Sequence, residues 1–392
     1  MQIAAEPFRV AVEDSVLEDL KARLAQTRWP NEPEGGGWFY GTDLTYLKQF
    51  VDRWLTGYDW RHWEAELNRF PQYRAEVDGL KLHFIVEPGS GDKPLPLILT
   101  HGWPGSVFEF HKIIEPLAHP ERFGGDPNDA FTVIAPSLPG YGFSDWPDKP
   151  ITPRRIAGYW HKLATDVLGL ERVVAQAGDW GSVVTAWLAF DFPQTVTAIH
   201  LNMLPLKPYI GPGTAPLSDA EREWVAKLKR RMVWAGGYQE IQGTKPQSLA
   251  YGLADSPAGL AGWIVEKFQH RLKEPPGSLS LFPMDELITN IMIYWVTNCH
   301  NAATWIYHAV RNQGGTELGA GPDGRGERVE TPTGFAFFPY DLFPIPPESW
   351  PKRAFNVVHR SDFDDGGHFA ALEKGDLLVE DMRTFFRAFR GA

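Results

Sequence analysis

Short apolar runs that alternate with helical stretches constrain the fold of this chain more than any other feature. Strands that read as continuous apolar runs are typical of a parallel sheet that helices cover on both faces. The sequence therefore predicts an α/β fold with a mainly parallel central sheet flanked by helices. Ahead of these runs, the turn signal Asp78-Gly79 predicts a hairpin between Tyr73–Val77 and Leu80–Val86. The further predicted strands are Leu95–Leu99, Phe131–Ala135, Arg172–Gln176, Val196–Leu201, Phe335–Phe338 and Phe355–Val358.

Two stretches do not follow this alternation, and they divide the chain. The N-terminal stretch has apolar residues at helical spacing, for example Leu20 and Leu24, which predicts a helical extension. The second stretch precedes the last two strands and also reads as mostly helical, with predicted helices at Asp219–Val233 and Glu286–Val296. An insertion at that place would cover the carboxyl ends of the strands as a lid. The predicted parts are the extension at 1–70, the first part of the core at 71–202, the lid at 203–332, and the last strands with the C-terminal helix at 333–392.

Composition narrows the classes of function. The formal net charge of the 392-residue chain is −11 and no block of Lys or Arg stands out, so we expect no nucleic-acid partner. Cys299 is the only cysteine and the N-terminus lacks a long apolar stretch, so we expect no intrachain disulfide, signal peptide or membrane anchor. These features indicate a cytoplasmic protein. Since the sequence has no clustered metal-ligand spacing, phosphate loop or dinucleotide fingerprint, we expect neither a metal nor an organic cofactor.

The turn around Asp179 carries the strongest chemical signal. An apolar run at 172–176 leads through small residues into Asp179, and a helical stretch begins near Trp180. This order matches the strand–turn–helix nucleophile elbow of the α/β-hydrolase fold, with Ala177 in place of the first glycine and Asp179 in place of serine. Small residues at 177 and 181 suit a strained turn in which backbone segments approach closely. The competing interpretation is that Asp179 only caps the helix that follows.

A carboxylate at the nucleophile position favours some reactions over others. It is already ionised at neutral pH, so it attacks without a base. Attack on a saturated carbon leaves an ester that activated water can hydrolyse, whereas a serine would leave an ether that water cannot readily cleave. Asp179 therefore favours displacement at a saturated carbon over esterase or protease action.

A base and its acid partner follow in the order that this fold requires. His368 comes after the last predicted strand, and the two glycines before it favour a turn that exposes it. Asp341 comes just after the strand Phe335–Phe338, where the fold places its acid. We expect Asp341 to orient the imidazole and His368 to activate water against the ester carbonyl. Three further acids near the histidine leave the choice of acid open: Asp362, Asp364 and Asp365.

A loop after the strand Leu95–Leu99 is the candidate anion hole. It has the sequence His101-Gly102-Trp103-Pro104-Gly105. The fold places one oxyanion-hole amide in this loop and a second one just after the nucleophile. We expect the backbone N–H groups of Trp103 and Trp180 to bind the oxygen of the tetrahedral intermediate during ester hydrolysis. We expect His101 itself to be structural.

Five motifs, spread over nearly the whole chain, form a specific set. They are Thr27-Arg28-Trp29-Pro30, the His-Gly-Trp-Pro-Gly loop, Gly-Asp-Trp-Gly-Ser at the Asp179 turn, Phe337-Phe338-Pro339-Tyr340-Asp341-Leu342, and Gly-Gly-His-Phe-Ala around His368. In this combination the sequence resembles the microsomal-type epoxide hydrolases, and among them the soluble bacterial and fungal members. The resemblance implies an α/β-hydrolase fold and a detoxifying enzyme that converts an epoxide and water to a vicinal diol without a cofactor. Family members use Glu or Asp at the acid position, so Asp341 fits.

The resemblance also implies two lid tyrosines that donate hydrogen bonds to the epoxide oxygen. By motif context these are Tyr238, in Gly236–Gln242, and Tyr307, in Trp305–His308. Ring opening generates an alkoxide, which is a poor leaving group in water, and phenol donors stabilise it. The residues alone would favour packing roles for both, and three other tyrosines compete: Tyr251, Tyr294 and Tyr340.

Two other functions are alternatives to epoxide hydrolysis. A haloalkane or haloacid dehalogenase shares the aspartate nucleophile and the histidine, but a halide needs N–H donors and no proton, so the lid tyrosines separate the two. A non-catalytic binding protein on the same fold usually lacks the nucleophile or the histidine. The 16 Trp and 24 Phe could line an apolar pocket that suits an apolar epoxide, although core packing is the more common role of any single aromatic residue. The natural substrate, the stereochemistry and a homodimer stay open.

Overall fold

One mixed sheet forms the centre of the structure. The structure is a computed structural model, and it describes residues 3–269, 282–321 and 326–391. Its strands are β1 (Glu6–Phe8), β2 (Gln72–Val77), β3 (Leu80–Glu87), β4 (Leu95–Thr100), β5 (Phe131–Pro136), β6 (Val173–Ala177), β7 (Val196–Leu201), β8 (Val329–Phe337) and β9 (Phe355–Asp362). The spatial order is β1-β2-β3-β5-β4-β6-β7-β8-β9. The pairs from β1 to β5 are antiparallel and the pairs from β5 to β9 are parallel. The predicted mainly parallel sheet is confirmed.

Helices follow β1, cover the two faces of the sheet and fill the interval between β7 and β8. They are α1 (Asp14–Ala25), α2 (Leu44–Thr56), α3 (Trp60–Leu67), α4 (Ile114–Ala118), α5 (Pro153–Lys162), α6 (Asp179–Asp191), α7 (Asp219–Ala235), α8 (Gly237–Thr244), α9 (Pro246–Asp255), α10 (Pro257–Phe268), α11 (Met284–Thr297), α12 (His300–Gln313), α13 (Ser349–Lys352), α14 (Ala370–Glu373) and α15 (Gly375–Phe386). None of the helices in the described part of the chain has the length and apolar character needed to cross a membrane.

Burial on both faces explains why the central strands are apolar runs. Every residue of β5 and of β6 is buried. Successive residues of β4 pack into different cores, because side chains alternate across a strand. Ile98 belongs to the core that includes α5 and α6, whereas Leu97 and Leu99 belong to the core that includes α4 and α15. The sheet is therefore well packed on both faces. The loops that follow β4, β6, β8 and β9 carry the predicted site residues.

Several strands differ from the sequence prediction, and β9 extends beyond the predicted Val358 to Asp362. The strand predicted at Phe335–Phe338 begins earlier, at Val329, because Pro332 and the threonines beside it interrupt the apolar run without ending the pairing to β9. The N-terminal segment is not purely helical, since Glu6–Phe8 pairs with Gln72–Arg74 as an edge strand. Such a short strand shows no alternation that a sequence pattern could detect. Two parts of the predicted lid, 270–281 and 322–325, lie outside the described residues.

The N-terminal extension packs against the inserted helices. Arg53 of α2 forms a two-point ion pair with Asp285 of α11, with N–O distances of 2.8 and 2.7 Å. Nearby, the Trp54 indole donates to Met292 Sδ at 3.2 Å, and the Thr42 hydroxyl donates to Gly262 O at 2.5 Å. These contacts join the N-terminal extension to α10 and α11. The extension therefore stabilises the position of the lid helices.

Candidate active site

The turn between β6 and α6 places Asp179 at the carboxyl end of the sheet. Asp179 has φ of 45°, in the left-handed region that side chains other than glycine rarely adopt. The turn is crowded as well, since a Cβ at Gly181 would clash with the Thr100 carbonyl and one at Gly178 would lie 2.8 Å from Asn202 Nδ2. Only small residues on either side of Asp179 allow this turn, which then presents the carboxylate above the strand ends.

The two oxygens of Asp179 have different neighbours. Oδ1 accepts a hydrogen bond from the Trp103 backbone N–H at 2.8 Å. Oδ2 lies 3.2 Å from His368 Nε2. Gly102 allows this close approach, because any side chain there would clash with the Asp179 carboxylate. Of the two amides predicted for the anion hole, that of Trp103 contacts the carboxylate, and that of Trp180 lies in the first turn of α6, where N–H groups lack intrahelical acceptors.

His368 lies between two carboxylates. Its Nδ1 is 3.2 Å from Asp341 Oδ1, and Oδ1 also accepts the Phe343 N–H at 3.0 Å. The loops of the acid and the base are joined, since the Tyr340 N–H donates to Gly366 O at 3.1 Å and Tyr340 pairs with the residue after that glycine. This pairing brings Asp341 to the imidazole although the two residues are far apart in the chain.

The three competing acids have other partners or positions. Asp362 binds Arg360 at 2.8 Å, and Asp365 pairs with Lys374 at 2.6 Å. Asp364 is exposed. Asp341, in contrast, contacts Nδ1 of the histidine directly and is therefore in position to orient the imidazole.

The electrostatics of His368 follow from this position. Burial alone would lower the pKa of the imidazole, but the Asp341 and Asp179 carboxylates outweigh burial and hold the pKa well above its usual value. The imidazole is therefore protonated at neutral pH as long as both carboxylates are charged. Any step that neutralises Asp179 removes part of this effect.

Two tyrosines of the inserted helices lie above the carboxylate. Tyr238, in α8, stacks on Trp103 with 5.2 Å between ring centroids, and Tyr307, in α12, lies perpendicular to Trp180 at 4.8 Å. Their centroids are 5.9 Å apart. Burial raises the pKa of both phenols, with the negative charge of Asp179 acting in the same direction, so both hydroxyls stay protonated as donors.

The competing tyrosines are placed differently. Tyr251 is 69% exposed on α9. Tyr294 is buried, but its hydroxyl donates to Gly105 O at 2.7 Å. Tyr340 directly precedes Asp341 in the loop after β8. The inserted helices therefore bring the rings of Tyr238 and Tyr307 onto Trp103 and Trp180, the residues that flank the Asp179 carboxylate.

Comparison with known proteins assigns the chain to a family. The profile of the family described as "Epoxide hydrolase N terminus" matches residues 5–110, and that of "alpha/beta hydrolase fold" matches residues 96–232. A putative epoxide hydrolase of Stigmatella aurantiaca is 41% identical over 98% of this chain and 85% of its own length. The chain belongs to the epoxide hydrolase family. Epoxide hydrolase 1 of Sus scrofa is 34% identical over 97% of this chain and 88% of its own length.

Solved structures of epoxide hydrolases share the whole architecture of this enzyme. The Aspergillus niger epoxide hydrolase matches with a TM-score of 0.83 and 31% identity, covering 99% of this chain and 97% of its own. The juvenile hormone epoxide hydrolase of the silkworm Bombyx mori matches with a TM-score of 0.85 and 26% identity, covering 100% of this chain and 96% of its own. The predicted α/β-hydrolase fold and the predicted enzyme class are thereby confirmed.

Three further side chains near the epoxide hydrolase site were missed by sequence reasoning. Asn290 of α11 fixes the anion-hole loop, since its Nδ2 donates to Pro104 O at 2.7 Å. Tyr141 is buried beside Asp179, and its hydroxyl has no hydrogen-bond partner among the described residues. Glu109 is buried just beyond the loop. The only sequence signal for Glu109 was its position between two apolar residues, Phe108 and Phe110. Such a short pattern does not show whether the carboxylate is buried.

Nothing in the described ranges groups three or more His, Cys, Asp or Glu side chains in a way that could hold a metal ion. Instead, the His368 imidazole of this epoxide hydrolase lies between the Asp341 and Asp179 carboxylates and contacts both. In this arrangement His368 Nε2, 3.2 Å from Asp179 Oδ2, is placed to take up or release a proton.

Proposed function

We propose that this enzyme adds water to an apolar epoxide and releases a vicinal diol, with Asp179 as covalent nucleophile. The observation that carries the proposal is the separation of the two Asp179 oxygens, with the Trp103 N–H 2.8 Å from Oδ1 and His368 Nε2 3.2 Å from Oδ2. Oδ1 accepts from the Trp103 N–H, a donor that stabilises negative charge, and Oδ2 lies next to His368, the proposed base. Membership of the epoxide hydrolase family supports an epoxide and water as the reactants.

Ester formation is the first step. Asp179 Oδ2 attacks a ring carbon of the epoxide, the carbon–oxygen bond of the ring breaks, and its electron pair goes to the epoxide oxygen. Tyr238 and Tyr307 donate hydrogen bonds to that oxygen, and one of the two phenols transfers its proton to it, which makes it a hydroxyl. The tyrosinate regains a proton from solvent as protonated His368 releases its own, so the charges balance before the second step. The carboxylate needs no base, so His368 has no proton to take in this step.

Ester hydrolysis is the second step, and the first step prepares it. Esterification removes the negative charge of Asp179, one of the charges that raise the pKa of His368, so the imidazole loses its proton more readily. Neutral His368, oriented by Asp341, then takes a proton from water that attacks Asp179 Cγ. The Cγ–Oδ2 bond breaks, the alkoxide takes the proton from His368, and the diol leaves with the former Oδ2.

The anion hole acts in the second step. Attack by water places a negative charge on Oδ1, which already accepts the Trp103 N–H. We assign the Trp180 N–H, in the first turn of α6, as the second donor. Removing one such donor typically costs roughly 2.7–4 kcal/mol of transition-state stabilisation.

The broader setting of the reaction is part of the proposal. Each step is assigned to side chains and backbone N–H groups of this chain, so the reaction requires neither a metal nor an organic cofactor. The single cysteine, Cys299, and the net charge of −11 support a cytoplasmic location without nucleic-acid partners. We assign the enzyme a detoxifying role on apolar epoxides, and a homodimer stays a prediction.

A single-turnover experiment in heavy-oxygen water tests the mechanism. With enzyme in excess, the first diol formed should carry unlabelled oxygen from Asp179, and the label should appear in the carboxylate. Label in the diol at the first turnover would mean direct attack by water and would refute the covalent route. Assaying a chloroalkane beside the epoxide separates the dehalogenase alternative, which predicts turnover of the chloroalkane.

A further inference from the structure

Glu109 is a buried carboxyl group that none of these steps uses. It lies in the 3₁₀ helix Val107–Phe110, directly after the anion-hole loop. The residue is 8% exposed, and its neighbours Phe108 and Phe110 are each 2% exposed. Glutamate is almost never buried to this extent without a partner, and a buried polar group needs a physical reason.

The charges around Glu109 are those of the catalytic centre. Asp179 faces it from the start of α6, His368 from the loop before α14, Glu373 from the end of α14, and Tyr294 from the lid helix α11. Burial raises the pKa of Glu109 to about 8, against the lowering effect of His368 and together with the negative charges of Asp179 and Glu373. The carboxyl group is therefore mostly protonated at pH 7 and adds no further negative charge to the site.

The Glu109 carboxyl packs against the loop that holds Asp179 Oδ1. A Cβ at Gly105 would lie 2.5 Å from Glu109 Oε2, so the missing side chain at Gly105 makes room for the carboxyl group. The lid fixes the same loop, because the Tyr294 hydroxyl donates to Gly105 O at 2.7 Å. Both the loop and the carboxyl group are thus held in place relative to Asp179.

The oxygens of this carboxyl group are available for a hydrogen bond. Across the described residues, only burial and nearby charges act on this carboxyl group, with no hydrogen bond or ion pair to another protein group, although the residue is only 8% exposed. A neutral carboxyl group offers a carbonyl oxygen as acceptor and an O–H as donor. A small polar molecule beside Asp179 and His368 would satisfy it.

We propose that Glu109 holds the water molecule that hydrolyses the ester on Asp179, a role that rests on the covalent mechanism proposed above. The attacking water gives one proton to His368 Nε2. Its second hydrogen needs a fixed acceptor, so that the oxygen lone pair points at Asp179 Cγ. The carbonyl oxygen of the neutral Glu109 carboxyl group is that acceptor, and Glu109 keeps its own proton throughout.

Separate measurement of the two half-reactions tests this role. In Glu109→Met, which removes both oxygens at similar length, ester formation should keep its wild-type rate, and ester decay should slow by about ten- to a hundredfold because the water is no longer aligned. Glu109→Gln retains the carbonyl acceptor and should hydrolyse the ester close to the wild-type rate. The matched control is Glu115→Met, which replaces a more exposed carboxylate that binds Arg122 at 3.2 Å.

The readout is the ester on Asp179, followed in time by intact-protein mass spectrometry. Decay of the ester at the wild-type rate in a folded Glu109→Met variant would overturn the role of Glu109. Absence of any ester in the wild-type enzyme would instead overturn the proposed mechanism, so the two failures are distinguishable.

The pH dependence of ester decay gives a second test that does not need the methionine variant to fold. Above about pH 8, ionised Glu109 places a negative charge beside the oxyanion that forms on Asp179 Oδ1, so wild-type ester decay should slow. Glu109→Gln cannot ionise and should lack this decline. Identical pH profiles for the wild type and Glu109→Gln would contradict the proposal.

Discussion

Changing the two lid tyrosines to phenylalanine tests ring opening most directly. Tyr238 and Tyr307 are 9% and 6% exposed, and their rings pack on Trp103 and Trp180 at centroid distances of 5.2 and 4.8 Å. Phenylalanine keeps these ring contacts and removes only the hydroxyl group. Each variant therefore loses one of the two proposed hydrogen-bond donors to the epoxide oxygen and little packing.

The size of the effect follows from this geometry. Loss of one donor from an oxyanion-type site costs roughly 2.7–4 kcal/mol, which is about a hundred- to a thousandfold in rate. The remaining phenol, with its centroid 5.9 Å from the first, can partly replace the lost donor. We expect each single variant to slow ester formation by about ten- to a thousandfold, and the double variant to be close to inactive. Epoxides with a better leaving oxygen should be affected less.

The assay is the pre-steady-state rate of ester formation, followed by tryptophan fluorescence. Tyr251→Phe is the matched control, since this tyrosine also belongs to the lid but is 69% exposed. Wild-type rates in both single variants would show that the two tyrosines only pack. The dehalogenase alternative would then have to be reconsidered.

Three further changes test the base, the nucleophile loop and a structural ion pair. His368→Gln should form the ester at near the wild-type rate and fail to hydrolyse it, so mass spectrometry should find an adduct of the substrate's mass; normal turnover would assign the base elsewhere. Gly102→Ala should reduce ester formation by at least about a hundredfold, because its methyl group would clash with the Asp179 carboxylate, and unchanged alkylation kinetics would contradict this geometry. Glu221→Gln should lower the free energy of unfolding by roughly 1.5–3 kcal/mol at pH 7, through loss of a charge-assisted bond to Arg353. That bond lowers the pKa of Glu221 from 4.5 to about 2. The extra stability of the wild type over Glu221→Gln is therefore complete above pH 4.5 and is lost as the pH falls toward 2. If the difference in free energy of unfolding between the two proteins does not shrink between pH 7 and pH 3 in denaturant titrations, the assignment is refuted.

The strands could be predicted from sequence wherever burial makes them continuous apolar runs. Val196–Leu201 has the same bounds in the prediction and in the structure. The first half of Val329–Phe337 was missed, because it contains Pro332 and polar residues whose burial depends on neighbouring strands. The edge strand Glu6–Phe8 was missed as well, since its burial pattern is mostly exposed and its pairing partner lies far away in the chain.

The sequence by itself determined the fold class, the position of Asp179 at a strand–helix turn and the chain order of the candidate nucleophile, acid and histidine. These features depend on short motifs at the ends of strands, which are local in the chain. The tertiary structure alone decided that Asp341 contacts His368, because the pairing of two loops that are separate in the chain brings them together.

The tertiary structure also decided which lid tyrosines lie over Asp179, since this depends on how the inserted helices fold back over the sheet. The protonation state of Glu109 depends on the tertiary structure in the same way. Its sequence neighbours are apolar, but the desolvation and the charges that raise its pKa come from segments remote in the chain. A carboxyl group acquires such a pKa only from its surroundings in the folded protein.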